Sequence, residues 1–258
     1  MSNTKILYSI LSGSDFNDSR NVWIKDTWVK NIDSCDDYVF LQGDSDDNRE
    51  DVIGFGTPEG HNTAYLKLKE FHKFVFNNIE KYSEYDWFMF SDTDCYVYPK
   101  VLKPFLSKYK IDSPLCATKV NIFTKRDSQV GVAAKTGGKD LGTTINKKIT
   151  AYFRDDYHIE NCSFYAISGG GGWAFNREAM KVIGEYMFKN DMGCTSHYDI
   201  PISLVVQDCN IPHLNCDQFM SGKDTDNHKH GEYSEKNKCF TNHFILKDDF
   251  YRIFEAEK

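Results

Sequence analysis

The sequence predicts an α/β fold, a central and mostly parallel sheet flanked by helices in the Rossmann-like manner. Three observations predict it. Apolar runs of four to six residues recur along the 258-residue chain. They are too short for helices and unbroken enough for strands covered on both faces. Between them lie segments with apolar residues three and four apart, the period of a helix with one buried face. Polar or glycine-rich stretches follow the runs directly, where the carboxyl ends of parallel strands collect ligand-binding residues.

Taken in order, Ile6 to Leu11 reads as a buried strand entering the polar loop Ser12-Gly13-Ser14-Asp15. Asp18 or Ser19 is placed to cap the next segment, where Val22, Trp23, Thr27 and Trp28 recur at helical spacing. Tyr38 to Leu41 is a second strand, ending in the acidic loop Gly43 to Asp47. Thr63 stands where a long helix begins that reaches about Ile79, with Leu68, Phe71, Val75 and Ile79 on one face. Trp87 to Phe90 is wholly apolar, as a central strand would be. Pro99 suits the first turn of a short helix carrying Val101, Phe105 and Leu106. Residues 118–150 are polar and weakly periodic, and read as an insertion or mobile loop partly covering a site. Phe164 to Ile167 is a further strand. Four glycines follow, and Asn176 then caps a helix with Ala179, Ile183 and Met187 on one face. Residues 217–238 read as loop.

Composition narrows the function classes. Lys and Arg total 31 against 38 Asp and Glu, a formal charge of −7. That argues against a general nucleic-acid binder, whose phosphates are met by Lys and Arg. A small anionic ligand is compatible only where local cations or a metal ion offset the field. The chain is 40% apolar and 15% aromatic, so it is globular, and a core of this size needs no disulfides. The cysteines (Cys35, Cys95, Cys116, Cys162, Cys194, Cys209, Cys216 and Cys239) form no CxxC pair, so a zinc site is not expected. The sequons at Asn17 and Asn161 matter only in a secretory compartment. The six-residue run at Ile6 is far below the roughly 20 residues of a membrane span. No membrane segment or signal is therefore expected, which points to the cytoplasm, or to the Golgi or ER lumen for a chain whose anchor has been removed.

The stretch richest in chemistry is Trp87-Phe-Met-Phe-Ser-Asp92-Thr93-Asp94. Carboxylates two apart in extended chain face one side, and at a strand end they can hold a hard divalent cation. The alternative is a turn cap at Asp92 and a solvated Asp94. Ser168-Gly169-Gly170-Gly171-Gly172-Trp173 lets backbone approach a ligand closely. The partner would be a phosphate, or a sugar ring with Trp173 as a stacking wall; otherwise the run is a tight turn beside a core tryptophan. Asp199, just before the apolar run Ile200 to Val206, reads as a helix cap or as a general base. His243, between apolar residues, is either a semi-buried side chain or a third metal ligand suited to Mn²⁺. His228-Lys-His230 reads as solvated. No Gly-x-Ser-x-Gly elbow or HExxH motif is present in the sequence.

These pieces occur in an order that resembles the Fringe and core-1 galactosyltransferase group of β1,3-glycosyltransferases. Arg20 with Trp23-Ile-Lys-Asp-Thr27-Trp28 is similar to the early Arg…Thr-Trp motif, and Leu66-Lys-Leu-Lys69-Glu-Phe to the Lys-bearing helix. Tyr85-Asp-Trp-Phe-Met-Phe-Ser-Asp92-Thr-Asp94-Cys resembles the aspartate motif. Ser168 to Trp173, Asp199-Ile-Pro-Ile-Ser203 and Phe240-Thr-Asn-His243 resemble three later motifs, so the likeness runs from about residue 6 to 245.

The resemblance implies a single GT-A catalytic domain over 1–258, with nucleotide binding in about 1–98 and acceptor binding in about 99–258. It implies a UDP-sugar donor and a glycan or glycoprotein acceptor, joined through a β1,3 linkage with inversion by a hexosyl- or N-acetylhexosaminyltransferase. It implies Asp94 and His243 as ligands of Mn²⁺, or of Mg²⁺, with Asp92 helping through water or the ribose. Asp199 would be the base. Arg20, Lys69, Asp92, Thr93, Gly170, Gly171, Gly172 and Trp173 would line the donor site. Thr93, Tyr198 and Ser203 depart from the pattern, standing where the group has an acid, an acid and a glycine. The alternatives are an inactive sugar-nucleotide or glycan-binding module and a metal-dependent sugar-nucleotide hydrolase.

Overall fold

The computed structural model describes residues 4–44, 46–60, 63–123, 164–190, 198–220, 239–243 and 245–258. The expectations for His228 and His230, for the sequon at Asn161, and for most of the loops 118–150 and 217–238 lie outside these residues.

The strands are β1 (Ile6–Leu11), β2 (Asp37–Gln42), β3 (Val52–Gly54), β4 (Trp87–Asp92), β5 (Cys95–Val97), β6 (Cys116–Thr118), β7 (Val120–Phe123), β8 (Phe164–Ile167), β9 (Trp173–Asn176), β10 (His213–Asn215), β11 (Phe219–Met220) and β12 (Thr241–His243). The α-helices are α1 (Arg20–Asp26), α2 (Ala64–Asn77), α3 (Ile79–Tyr82), α4 (Pro99–Leu106), α5 (Arg177–Lys189), α6 (Asp199–Asp208) and α7 (Lys247–Glu257).

Seven strands form one sheet in the order β10-β6-β9-β4-β1-β2-β3. Every neighbouring pair in it is parallel except the two that β9 makes. The mostly parallel sheet expected from the apolar runs is therefore present. Side chains alternate along β1, so that Leu7 and Leu11 join one core cluster and Ile6, Tyr8 and Ile10 the other. On the first face lie Leu68 and Phe71 of α2, Ile183 of α5 and Leu204 of α6. On the second lie Ile24 of α1, Leu102 of α4 and Phe250 of α7. Burial on both faces is why these strands read as unbroken apolar runs.

Several expectations are corrected. The sequence reading passes from the four glycines straight to the helix capped by Asn176, and so misses Trp173–Asn176, a fully buried strand inserted antiparallel between β4 and β6. Phe164 to Ile167 is a strand as expected, but it pairs with β7 in a separate two-stranded sheet. Thr118 and residues 120–123 are strand rather than loop. The long helix ends at Asn77, where the Asn78 side chain turns back to the Phe74 carbonyl, and α3 restarts at Ile79. Thr63 does precede α2, yet its hydroxyl donates to the carbonyls of Pro58 and Gly60 instead of capping the helix. Asn176 caps α5 as expected, its Oδ1 accepting from the Ala179 N–H at 2.9 Å. Among the described residues no helix is long and apolar enough to cross a membrane.

Candidate active site

The parallel strands bring their carboxyl ends to one edge of the sheet. Strand β4 ends there with Asp92, and Thr93 and Asp94 turn the chain into β5. Strand β5 leaves the main sheet and pairs antiparallel with β12, in a register that sets His243 opposite Cys95. That register carries the imidazole to Asp94, with Nε2 3.3 Å from Oδ1. The Ile245 N–H donates to the Asp94 carbonyl at 2.9 Å and fixes the chain beyond His243. Ligand atoms of Asp92, Asp94 and His243 all lie within 4.8 Å of one another.

Strand β9 runs the other way, so its amino end reaches the same edge, and the glycine run precedes it there. A Cβ on Gly170 would stand 2.2 Å from His243 Cε1, so this glycine is the seat of the histidine. A Cβ on Gly169 would stand 2.9 Å from Asp199 Cβ on the other side. Gly172 has φ +78°, which only glycine adopts freely, and a Cβ there would strike the Phe90 carbonyl. Thr241 Oγ1 donates to the Gly171 carbonyl. The run therefore separates His243 from Asp199, rather than presenting an open cradle of amides. Trp173, expected as a sugar-stacking wall, is fully buried and stacked on Phe90 at 5.3 Å and 10°. With its ring in the core it offers no face to a sugar.

Helix α6 delivers the remaining acid. Tyr198 occupies its N-cap position and Asp199 is its first residue, so the cap expected of Asp199 lies one place earlier. The Asp199 Oδ1 accepts from the N–H of Ile200, at the positive end of the helix. The Tyr198 hydroxyl donates to Asp92 Oδ2 at 2.5 Å. Ser203 accepts from the Ile167 N–H at 2.8 Å and donates to the Asp199 carbonyl, tying α6 to β8.

Arg20, on the first turn of α1, reaches across with Nη1 3.4 Å from Thr93 Oγ1 and 3.7 Å from Asp94 Oδ2. The resemblance implies Lys69, with Arg20, in the donor site. Lys67 reaches this edge, its Nζ donating to the Ser12 carbonyl just beyond β1 and pairing with Glu59 at 3.0 Å. Lys67 is 4% exposed and shares a face with Leu68 and Phe71, while Lys69 lies half-buried about 200° further round the helix. Placing both lysines on the helical wheel would have found it. Glu59 went unnoticed because its partners, the amides of Ser14 and Gly43, are distant in sequence.

Burial pushes the Asp92 carboxyl up to about 6, against the lowering hydrogen bond from Tyr198, with Asp94 and Asp199 adding like charge. Burial acts on Asp94 in the same sense, but the His243 hydrogen bond and Arg20 prevail and hold it below the usual carboxylate range. Two carboxylates and an imidazole, hard and borderline donors at one strand end, suit Mn²⁺ or Mg²⁺. The seating of His243 on a residue without a side chain fits a ligand held in place.

The chain is similar to known glycosyltransferase structures. Over 97% of its length it is similar to the apo structure of the WbbM bifunctional glycosyltransferase, at 12% identity and a TM-score of 0.49, and it spans 50% of that chain. Over 98% it is similar to the galactosyltransferase LgtC in complex with donor and acceptor sugar analogues, at 12% identity and a TM-score of 0.46, covering 96% of that chain. A family model described as Fringe-like matches residues 1–235, a span that holds every element from β1 to β11. The chain belongs to the Fringe-like family of glycosyltransferases.

Proposed function

We propose that this protein is an inverting glycosyltransferase of the GT-A type, moving a sugar from a UDP-sugar to a hydroxyl of a glycan or glycoprotein in a β1,3 linkage. The observation that carries the reading is the convergence of Asp92, Asp94 and His243 within 4.8 Å at the carboxyl end of β4, with Asp199 brought beside them by α6. Asp94, His243 and Asp92 would hold Mn²⁺ or Mg²⁺. A bound cation supplies Lewis-acid stabilisation of a diphosphate leaving group. Arg20 adds a guanidinium to the same edge, and Thr93, being neutral, leaves more of its charge for the donor phosphates. Asp199 accepts the proton of the acceptor hydroxyl at its carboxylate as that oxygen attacks the anomeric carbon. Its place at the start of α6 sets the carboxylate at the positive end of the helix.

The test is a panel of UDP-sugars read by thermal shift with Mn²⁺ and with EDTA, followed by UDP release in the presence of acceptors. A ligand at a hundredfold excess over its dissociation constant stabilises the folded state by about 2.7 kcal/mol. A Mn²⁺-dependent shift with acceptor-dependent UDP release is expected. No shift with any UDP-sugar overturns the donor. A shift without release makes the protein a binding module, and free sugar without acceptor makes it a hydrolase.

A further inference from the structure

Tyr198 stands where the resembling group has an acid, and its surroundings give it a definite task. It is 5% exposed, its ring lies 5.8 Å from that of Trp173, and its Cε2 would be 3.1 Å from a Cβ on Gly169. Its hydroxyl ends on Asp92 Oδ2, and the next residue in the chain is Asp199. One side chain thus touches a carboxylate of the candidate cation site while its backbone carries the candidate base.

We propose that Tyr198 is a positioning residue for the cation site, fixing the rotation of the Asp92 carboxylate through its hydroxyl so that Asp92 meets the cation in one orientation beside Asp94 and His243. The inference rests on the cation reading above. A carboxylate that accepts a phenol hydrogen bond on one oxygen cannot swing to offer both oxygens equally, which sets its denticity as well as its direction. Partners of this kind, one bond behind a metal ligand, typically change metal affinity about 10–100-fold when removed. The same contact joins the cation site to the start of α6 and so keeps the distance from Asp92 to Asp199 in register.

The experiment titrates Mn²⁺ into the nucleotide-free protein by calorimetry and compares wild type, Tyr198→Phe, Asp92→Asn, the double variant, Asp94→Ala and Ser203→Ala. Tyr198→Phe keeps the ring against Trp173 and is expected to weaken Mn²⁺ binding about tenfold or more. In the Asp92→Asn background the same change is expected to have an effect below about twofold, because a residue that acts through Asp92 does not add to its loss. Ser203→Ala loosens the same helix without touching the hydroxyl, and is expected to leave Mn²⁺ affinity unchanged. Tyr198→Leu is a second hydroxyl-free variant, read in the same way if the phenylalanine variant does not fold. Unchanged affinity in Tyr198→Phe, additive losses with Asp92→Asn, or an equal loss in Ser203→Ala each overturn the proposal. If Asp94→Ala abolishes binding while Tyr198→Phe keeps it, the tyrosine inference alone falls. If wild type binds no Mn²⁺, or Asp94→Ala still binds it, the cation reading falls and takes this inference with it.

Discussion

Two acidic clusters among the described residues bring candidate ligand atoms within 4.8 Å of one another, and they sit at opposite edges of the sheet. Asp33, Cys35 and Asp36 lie at the amino edge, where Asp36 accepts from the Ile6 N–H that opens β1. Asp92, Asp94 and His243 lie at the carboxyl edge. At the first, Lys103 already occupies the space between the oxygens, 2.8 Å from Asp33, 2.9 Å from Asp36 and 3.1 Å from the Cys35 sulfur. At the second, Arg20 is the nearest fixed cation among the described residues, 3.7 Å from Asp94, and the third donor is an imidazole. Spacing of acids is thus not enough to make a site. What distinguishes the two is whether the fold fills the centre with its own ammonium group or surrounds it with carboxylates and an imidazole.

The strongest test of that contrast acts at the carboxyl edge. Asp199→Asn is expected to lower turnover about 10²–10⁴-fold while leaving Mn²⁺-dependent UDP binding intact. Asp94→Ala is expected to lose both cation and nucleotide. UDP release and Mn²⁺ titration separate the two, and near-normal turnover in Asp199→Asn would remove the base assignment.

The matching change at the amino edge is Lys103→Met. The Asp36 side chain is fully buried, so losing its partner leaves an uncompensated charge, which typically costs about 3–5 kcal/mol. A lower urea midpoint with unchanged Mn²⁺ affinity is expected. Loss of Mn²⁺ binding as well would mean that the clusters are not independent.

A smaller effect separates the edges from the core between them. Burial, only partly offset by the Leu68 carbonyl, pushes His72 down to about 4, and its ring stacks on Phe90 at 5.2 Å and 7°. Between pH 6.5 and 4 the unfolded chain therefore takes up a proton that the folded chain refuses. Stability is present in full above 6.5 and falls as pH drops toward 4, by about 3 kcal/mol at most. In urea titrations at stepped pH, His72→Phe should flatten this acid limb. An unaltered slope would show that other groups govern it.

The candidate site was partly legible in the sequence. Asp92 and Asp94 could be read because they terminate an apolar strand, and the geometry of a parallel sheet says what a strand end is for. His243 was legible as a possible ligand, but its approach to Asp94 depends on a pairing between strands 148 residues apart at the His243–Cys95 register. Trp173 misled because glycines before an aromatic residue fit both a sugar platform and a packed strand, and only its stack on Phe90 decides. Lys67 and Lys69 were a choice of helix face, which short-range pattern does contain. Tyr198 carried no signal beyond its departure from the family's acid.

Local sequence by itself determined the apolar strands β1, β2 and β4, the buried face of α2, the Asn176 cap and the acidic end of β4, because periodicity and capping act within a few residues. Tertiary structure decided the rest. Strands β5, β9 and β12 are three or four residues long and have too little local preference to stand alone; their partners define them. The meeting of Asp94 with His243 follows from those pairings, while the helices α1 and α6 bring Arg20 to Asp94 and Tyr198 to Asp92, since side chains so far apart in the chain meet only where the fold brings their backbones together.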